Sequence, residues 1–267
     1  AVGAFHVDKA NIVPALENGN TLVVYIDADC TEPDHYGSSW ATAYRSLNDA
    51  ISYFAGLQIG VQVAVAGSSG SSHTISDDTQ FEIRVLEGDL WPRYAFVNED
   101  PKTATLDILA MKSGKQLKIV GGYYRTTDNN TAKRDPLNHR SQLNGNPDGD
   151  SLDDGLYHVV SVETGAQVEL DGFHVINGYA AGSAALHSGG GMLVHDGATV
   201  TLTNCIFENN TAADGAAIYA PGAASLTMRN CVVNNNTNTL ESNKIIAANN
   251  LILQHVTVVN NEGEAPD

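Results

Sequence analysis

Residues 200–210, VTLTNCIFENN, recur in altered form at 168–178 (VELDGFHVING), 226–236 (LTMRNCVVNNN) and 251–261 (LILQHVTVVNN). Successive copies start 32, 26 and 25 residues apart. A period of this size means that one supersecondary unit is stacked repeatedly, because a single unit cannot bury its own apolar face. Within each copy the apolar residues alternate, as in a strand: Val200 and Leu202 point one way, Thr201 and Thr203 the other. The parity then slips by one, since Cys205 and Phe207 continue the apolar face after Asn204. A bend is therefore expected at Asn204 and at its equivalents Gly172, Asn230 and His255. Gly and Asn tolerate left-handed backbone best, which suits a tight corner. No copy carries the 3.6-residue stripe of an amphipathic helix.

Short strands that turn a corner and return every 25 or so residues describe a single-stranded parallel β-helix, an all-β solenoid. With coils about 4.8 Å apart, equivalent side chains form columns. Leu170, Leu202, Met228 and Leu253 make one buried column, and Val175, Phe207, Val233 and Val258 another. Asn177, Asn209, Asn235 and Asn260 stack at a turn, where their amides can bond one another. Cys205 and Cys231 lie in neighbouring coils as stacked inward thiols, and Cys30 stands alone near a turn. Three cysteines give no disulfide framework.

The repeat also carries a resemblance. The segments GGML at 190–193, GAAI at 215–218 and FENN at 207–210 resemble the GGAI-type and FxxN motifs of polymorphic outer membrane proteins, which are bacterial surface β-helices. In the N-terminal half the segments YIDAD (25–29), GSSW (37–40) leading to LNDAI (47–51), IVGGY (119–123), RDP (134–136) and YHVV (157–160) are similar to secreted bacterial β-helix proteins related to pectate lyases. The resemblance implies a right-handed coil and an exported, outer-membrane-associated or secreted bacterial protein. It does not fix an activity, because such folds host adhesins, lyases and hydrolases alike.

Along the chain, residues 1–20 lack a period and read as an arm or linker, with the β-helix domain spanning 21–267. The first strand is expected at 21–27. Ser38 or Ser39 can cap a helix running over about 39–55, with Tyr44, Leu47, Ile51 and Phe54 on its apolar face. Such a helix is the expected remedy for the unpaired strand edges at an open solenoid end. Strands follow at 59–66, 81–86, 106–111 and 117–120, with a low-complexity serine- and glycine-rich stretch at 67–72. The pattern breaks over 123–156, a loop excursion, and regular coils run over 157–261. No cap follows the last repeat and no signal peptide precedes Ala1, so the sequence reads as a trimmed or partial form of a longer chain.

The formal charge is −17, from 31 acidic against 14 basic residues. That excludes the basic footprint of a nucleic-acid binder and disfavours anionic membrane surfaces. No run is long and apolar enough for a transmembrane segment. The best metal candidate is a calcium loop made of Asn144, Asn146, Asp148, Asp150 and Asp153, since oxygen-bearing side chains alternate before a glycine. The loop lacks the bidentate Glu at its twelfth position, which Gly155 occupies. Asp27, Asp29 and Asp34 form a second, weaker oxygen cluster. No other cofactor is indicated.

Basic residues concentrate between Lys102 and Arg140, so Tyr123, Tyr124, Arg125 and Arg134 are the candidate ligand-binding residues, on or beside the excursion. Trp91 and Tyr94 could likewise stack on sugar rings. A lyase needs a cation and a base, and an inverting hydrolase needs spaced carboxylates. Neither set is evident, and the chain does not read as an enzyme. The sequence-level expectation is an adhesion or glycan-binding module that is monomeric or part of a longer chain. Its partner would be a glycan or a host or cell-surface protein. A polysaccharide lyase or hydrolase, and a passive stalk, are the alternatives.

Overall fold

The corners of the coil are set by single residues in left-handed backbone. Gly172, Asn204, Asn230 and His255 have φ of +80°, 52°, 52° and 54°, and a second set, Asn177, Asn209, Asn235 and Asn260, has φ between 54° and 61°. Each such residue reverses the pleat locally, so the strand after it starts a new face. In this computed structural model, which describes residues 12–30, 35–91, 100–127, 130–149, 155–180, 186–240 and 243–263, three long parallel faces result, with a short fourth stack of Tyr179–Ala180, Thr211–Ala212 and Thr237–Asn238. The first face stacks Thr21–Ile26, Gln80–Leu86, Leu117–Arg125, Gln167–Asp171, Thr199–Thr203, Ser225–Arg229 and Leu251–Gln254 in that order. The second runs from Gly88–Leu90 through Ser141–Asn144, Phe173–Ile176, Ile206–Glu208 and Val232–Asn234 to Thr257–Val259. The third runs from Leu106–Ile108 through Val160–Val162, Met192–Val194 and Ile218–Ala220 to Ile246–Ala248. The molecule is a right-handed parallel β-helix.

The expected columns are in register: Leu170 opposite Leu202, Met228 and Leu253, and Val175 opposite Phe207, Val233 and Val258. Leu202, Met228, Phe207 and Val233 are fully buried, whereas Leu253, in register but with no described coil stacked on it, is 38% exposed. Burying side chains of this size contributes roughly 1.5–3 kcal/mol each, so the stacked interior is the main source of stability. Cys205 and Cys231 are free and buried, as expected from their place in the stack. Burial holds the Cys205 thiol well above its ordinary range.

The asparagine ladder differs from expectation by one position. Asn177, Asn209, Asn235 and Asn260 supply the corner backbone, whereas the buried amide chain is made by the residues that follow them. The Nδ2 of Asn210 donates to Asn236 Oδ1 (3.0 Å), and that of Asn236 to Asn261 Oδ1 (3.0 Å). The same Nδ2 atoms reach the carbonyls of Val175 and Phe207 in the preceding coil at 3.1 and 2.9 Å. The reason is directional: a left-handed residue turns its own side chain outward, and the next side chain falls inside.

The N-terminal end departs from the repeat in three ways. Residues 12–20 are part of the domain, not an arm: Ala15–Glu17 pairs antiparallel with the first strand, and Ile12 is buried. The capping helix is shorter than expected, Leu47–Ala55. Its N-cap is Ser46, whose side chain accepts the Asp49 N–H (3.2 Å); Ser38 and Ser39 instead bond the Thr42 hydroxyl. Tyr44 lies ahead of the helix in a bridge to Ile26. Leu47, Ala50, Ile51 and Phe54 face inward over the end of the stack, and Phe54 meets Phe81 edge-on at 5.3 Å. Within 59–66 only Gln62–Ala64 is a strand, paired antiparallel with Ser72–Thr74.

The excursion at 123–156 is also smaller than expected. The strand beginning at Leu117 continues to Arg125 and folds back on Ala132–Arg134, while Ser141–Asn144 belongs to the second face. The short apolar content of SQLN hid that strand, since only Leu143 carries the inward column.

Candidate functional site

Gly122, with φ of +80°, lets the long strand leave the first face, and a Cβ there would collide with Pro136. The four candidate ligand residues all lie on the hairpin that follows, and each has a protein partner. Tyr123 packs on Trp40 (5.1 Å between centroids), which in turn meets Tyr25 at 4.8 Å. Tyr124 stacks on His139 at 3.7 Å, and His139 Nδ1 lies 2.7 Å from Glu87. Arg125 donates to Asp27 (2.6 Å) and to the Trp40 carbonyl (3.1 Å). Arg134 donates to Asp171 (2.5 Å) and to the Gly121 carbonyl (2.9 Å). The structure brings the four together as fastenings that hold the hairpin against the first face. Behind them Arg84 donates to Glu17 (2.9 Å) and Glu82 (2.6 Å). Burial pushes the Glu17 carboxyl up, but hydrogen bonds from Tyr25 and Arg84 and the Arg84 charge outweigh it and leave that carboxyl below its usual range.

Towards the opposite end of the strand that leads into this hairpin, a cleft of about 610 Å³ runs over the outer surface of the first face. Strand alternation builds its floor. Glu82, Lys118 and Glu169 occupy one outward column in successive coils, and Lys118 Nζ lies 3.6 Å from Glu169. Its rim is the turn carrying Asp77 and Asp78. Lys115 donates to the Asp77 carbonyl, Asn20 donates to that of Asp78 (3.0 Å), and Thr79 Oγ1 accepts the Ser76 N–H (2.9 Å). Asn20, Gln80 and Gln116 add amides to the lining. The cleft therefore presents carboxylates, amides and two lysines on a rigid sheet, a surface suited to polyhydroxylated ligands. Sequence reasoning missed it. The available signal was the run Gln80, Glu82, Arg84, whose alternation with Phe81, Ile83 and Val85 marks a polar outward row.

On the second face, Arg140 Nη1 approaches His174 Nδ1 (3.4 Å), and His174 Nε2 lies 3.0 Å from Glu208, which also accepts from Asn234 (2.9 Å). With Arg140 donating, Nδ1 accepts and Nε2–H donates, the neutral tautomer. Burial, aided by Arg140, lowers the His174 pKa. Both ring nitrogens are thus committed. Asp171 and His174 do not pair with each other, since Asp171 receives Arg134 and Asn204 (2.8 Å).

In the proposed calcium loop, Asn144 Oδ1 accepts from the Asn146 N–H (3.0 Å) and from Asn177 Nδ2 (2.9 Å), and Asn146 Oδ1 accepts the Gly149 N–H (3.2 Å). Asp148 is exposed, and Asp150 and Asp153 lie outside the described residues. Asp27 is engaged by Arg125 and by the Asp29 N–H (3.0 Å), and Asp34 and Tyr94 also lie outside the described residues. Among the described residues no three His, Cys, Asp or Glu side chains converge as a metal site. No described helix is long and apolar enough to cross a membrane.

Comparison with known proteins bears on the fold. The family described as "right handed beta helix region" matches residues 155–265. Two structures of the pectin methylesterase from Aspergillus niger are similar, one penultimately deglycosylated and one deglycosylated. They align with TM-scores of 0.48 and 0.46 at 14% identity, covering 94% and 95% of this chain. This chain spans 60% of their length. No curated protein sequence matches. What the register and the matched coils establish together is a right-handed parallel β-helix.

Proposed function

We propose that this chain is an exported or cell-surface β-helix that binds a glycan along its first face. The observation that carries the reading is the cleft itself. In-register outward rows of Glu, Lys and amide side chains, braced from behind by a dry core, supply pre-positioned donors and acceptors for sugar hydroxyls. Tyr124 and Arg134, on the hairpin that follows the same long strand, are candidate contacts outside the lining of the cleft. The bacterial surface setting implied by the repeat motifs, and a calcium ion held by residues 144–153, belong to the same proposal.

A hydrolase on the same cleft is the second reading, because Glu82 and Glu169 are two carboxylates on one surface. An inverting pair stands roughly 6.5–9.5 Å apart with a water between. Glu82 and Glu169 are separated by two strand spacings, about 10 Å, and Lys118 fills the interval. That geometry favours binding over hydrolysis.

A glycan array probed with the intact protein, with calcium and with chelator, tests the proposal. Binding is expected, and a Gln80→Ala/Gln116→Ala variant with unchanged circular dichroism should lose it. A blank array in both conditions refutes the glycan reading. Release of reducing ends or unsaturated products from a bound polymer would move the conclusion to the enzyme.

A further inference from the structure

Resting on the glycan reading, we propose that the cleft selects a cationic, amine-bearing glycan and rejects polyuronates. The charges on its lining are unequal. Asp77, Asp78, Glu82 and Glu169 face it, against Lys115 and Lys118. Both lysines are already tied to the cleft's own acids or carbonyls: Lys118 to Glu169, and Lys115 to the Asp77 carbonyl, with Asp77 Oδ1 at 3.8 Å. Arg84, next to Glu82 in the same outward row, does not restore balance, because it is shared between Glu82 and Glu17. The neighbouring arginines are matched one to one, Arg125 with Asp27 and Arg134 with Asp171. The surplus is negative at close range, and the chain's net charge of −17 extends the same sign over distance.

A sugar ammonium brings three donors and one positive charge, which fit a pair of carboxylates. The amides of Asn20, Gln80 and Gln116 take hydroxyls in either sense. A uronate would place its carboxylate among four others in a cleft whose two ammonium groups are engaged, a like-charge arrangement that opposes binding. The rim carboxylates are the part of this device that can be removed without touching the fold, since the Asp77 side chain is 88% exposed.

The test is calorimetric titration of the intact protein with glucosamine hexamer, N-acetylglucosamine hexamer, hexagalacturonate and oligolysine, at low and at high salt. The glucosamine oligomer should bind at least tenfold more tightly than its acetylated form and weaken as salt screens the charges. Asp77→Asn/Asp78→Asn should reduce that affinity about fivefold, the scale expected for near-surface charge contacts, with the melting temperature unchanged. Equal or tighter binding of hexagalacturonate, or of the acetylated oligomer, overturns the charge selection while leaving glycan binding standing. Oligolysine binding as tightly, with no effect of the double variant, overturns it as mere surface attraction. If no sugar binds here or on the array, the glycan reading itself fails.

Discussion

The coils between Gln167 and Asn261 and the coils before Arg125 share one architecture and differ in what holds them. In the later coils polar side chains are matched by counterparts one coil away: Asn210 with Asn236 and Asn236 with Asn261 inside, and Asn204 with Asn230 (2.5 Å) and Glu208 with Asn234 nearer the surface. In the earlier coils the matches are between unlike residues distant in sequence, such as Arg84 with Glu17 and Arg125 with Asp27, and the hairpin that follows is tied to the later coils in the same way by Arg134 with Asp171. Repetition satisfies a polar group by copying it. Where copying stops, each group needs a dedicated partner, and side chains such as Glu82, Lys118 and the Asp77 turn are left lining a cleft. The regular half supplies rigidity, and the irregular half supplies chemistry.

The largest effect should come from breaking the copied ladder. Asn236 is fully buried and bonds Asn210, Phe207, Asn234 and Asn261. Asn236→Ala strands several buried groups at about 1–3 kcal/mol each, so a loss of roughly 3 kcal/mol is expected in urea unfolding. A loss below 1 kcal/mol would mean that the ladder is ornament and the apolar columns alone hold the later coils.

Acidification should separate the two regions at an intermediate scale. The Glu17 carboxyl is depressed in the fold, so its contribution is present above the unfolded carboxylate value of about 4.3 and is lost as pH falls below it. With both partners partly exposed, the effect is about 1 kcal/mol. Glu17→Gln should flatten that part of the stability profile, followed by tryptophan fluorescence, because Trp40 packs on Tyr25. A profile unchanged by the substitution would show that the dedicated pairs of the early coils contribute nothing measurable. His174 behaves differently: its lowered pKa favours the neutral ring, so it destabilises the fold as pH drops below about 6.5.

The later coils were legible in the sequence because their physics is periodic. The register of Leu202 on Met228, and the corners at Asn204, Asn230 and His255, could be read from spacing alone. The amide ladder was placed one residue early because spacing does not reveal which of two adjacent asparagines takes the left-handed backbone. The cleft was not legible, since Asp77 on a turn, Gln80 on a strand and Gln116 just ahead of the next strand meet only after folding. Candidate residues chosen for basic charge, Arg125 and Arg134, sit against carboxylates 98 and 37 positions away. Sequence spacing cannot see such pairings.

The smallest effect concerns the corners. Asn230 has φ of 52°, which glycine adopts without strain, so Asn230→Gly should change the melting temperature by only about a degree. Asn230→Ala should cost about 1 kcal/mol. If the two variants matched, the corner would be held by its neighbours and not by its own backbone preference.

One consequence of the amide ladder concerns growth of the molecule. The Gly178 N–H donates to Asn210 Oδ1, 32 residues on, the Asn210 N–H to Asn236 Oδ1, 26 on, and the Asn236 N–H to Asn261 Oδ1, 25 on. Three different lengths close the same bond, and the largest differences fall between the corner and the third face: Gly178 to Met192 is 14 residues, Asn210 to Ile218 is 8 and Asn236 to Ile246 is 10. Insertions at that seam leave the hydrogen-bonded spine intact, and lineages of this architecture can change their decoration there without redesigning their interior.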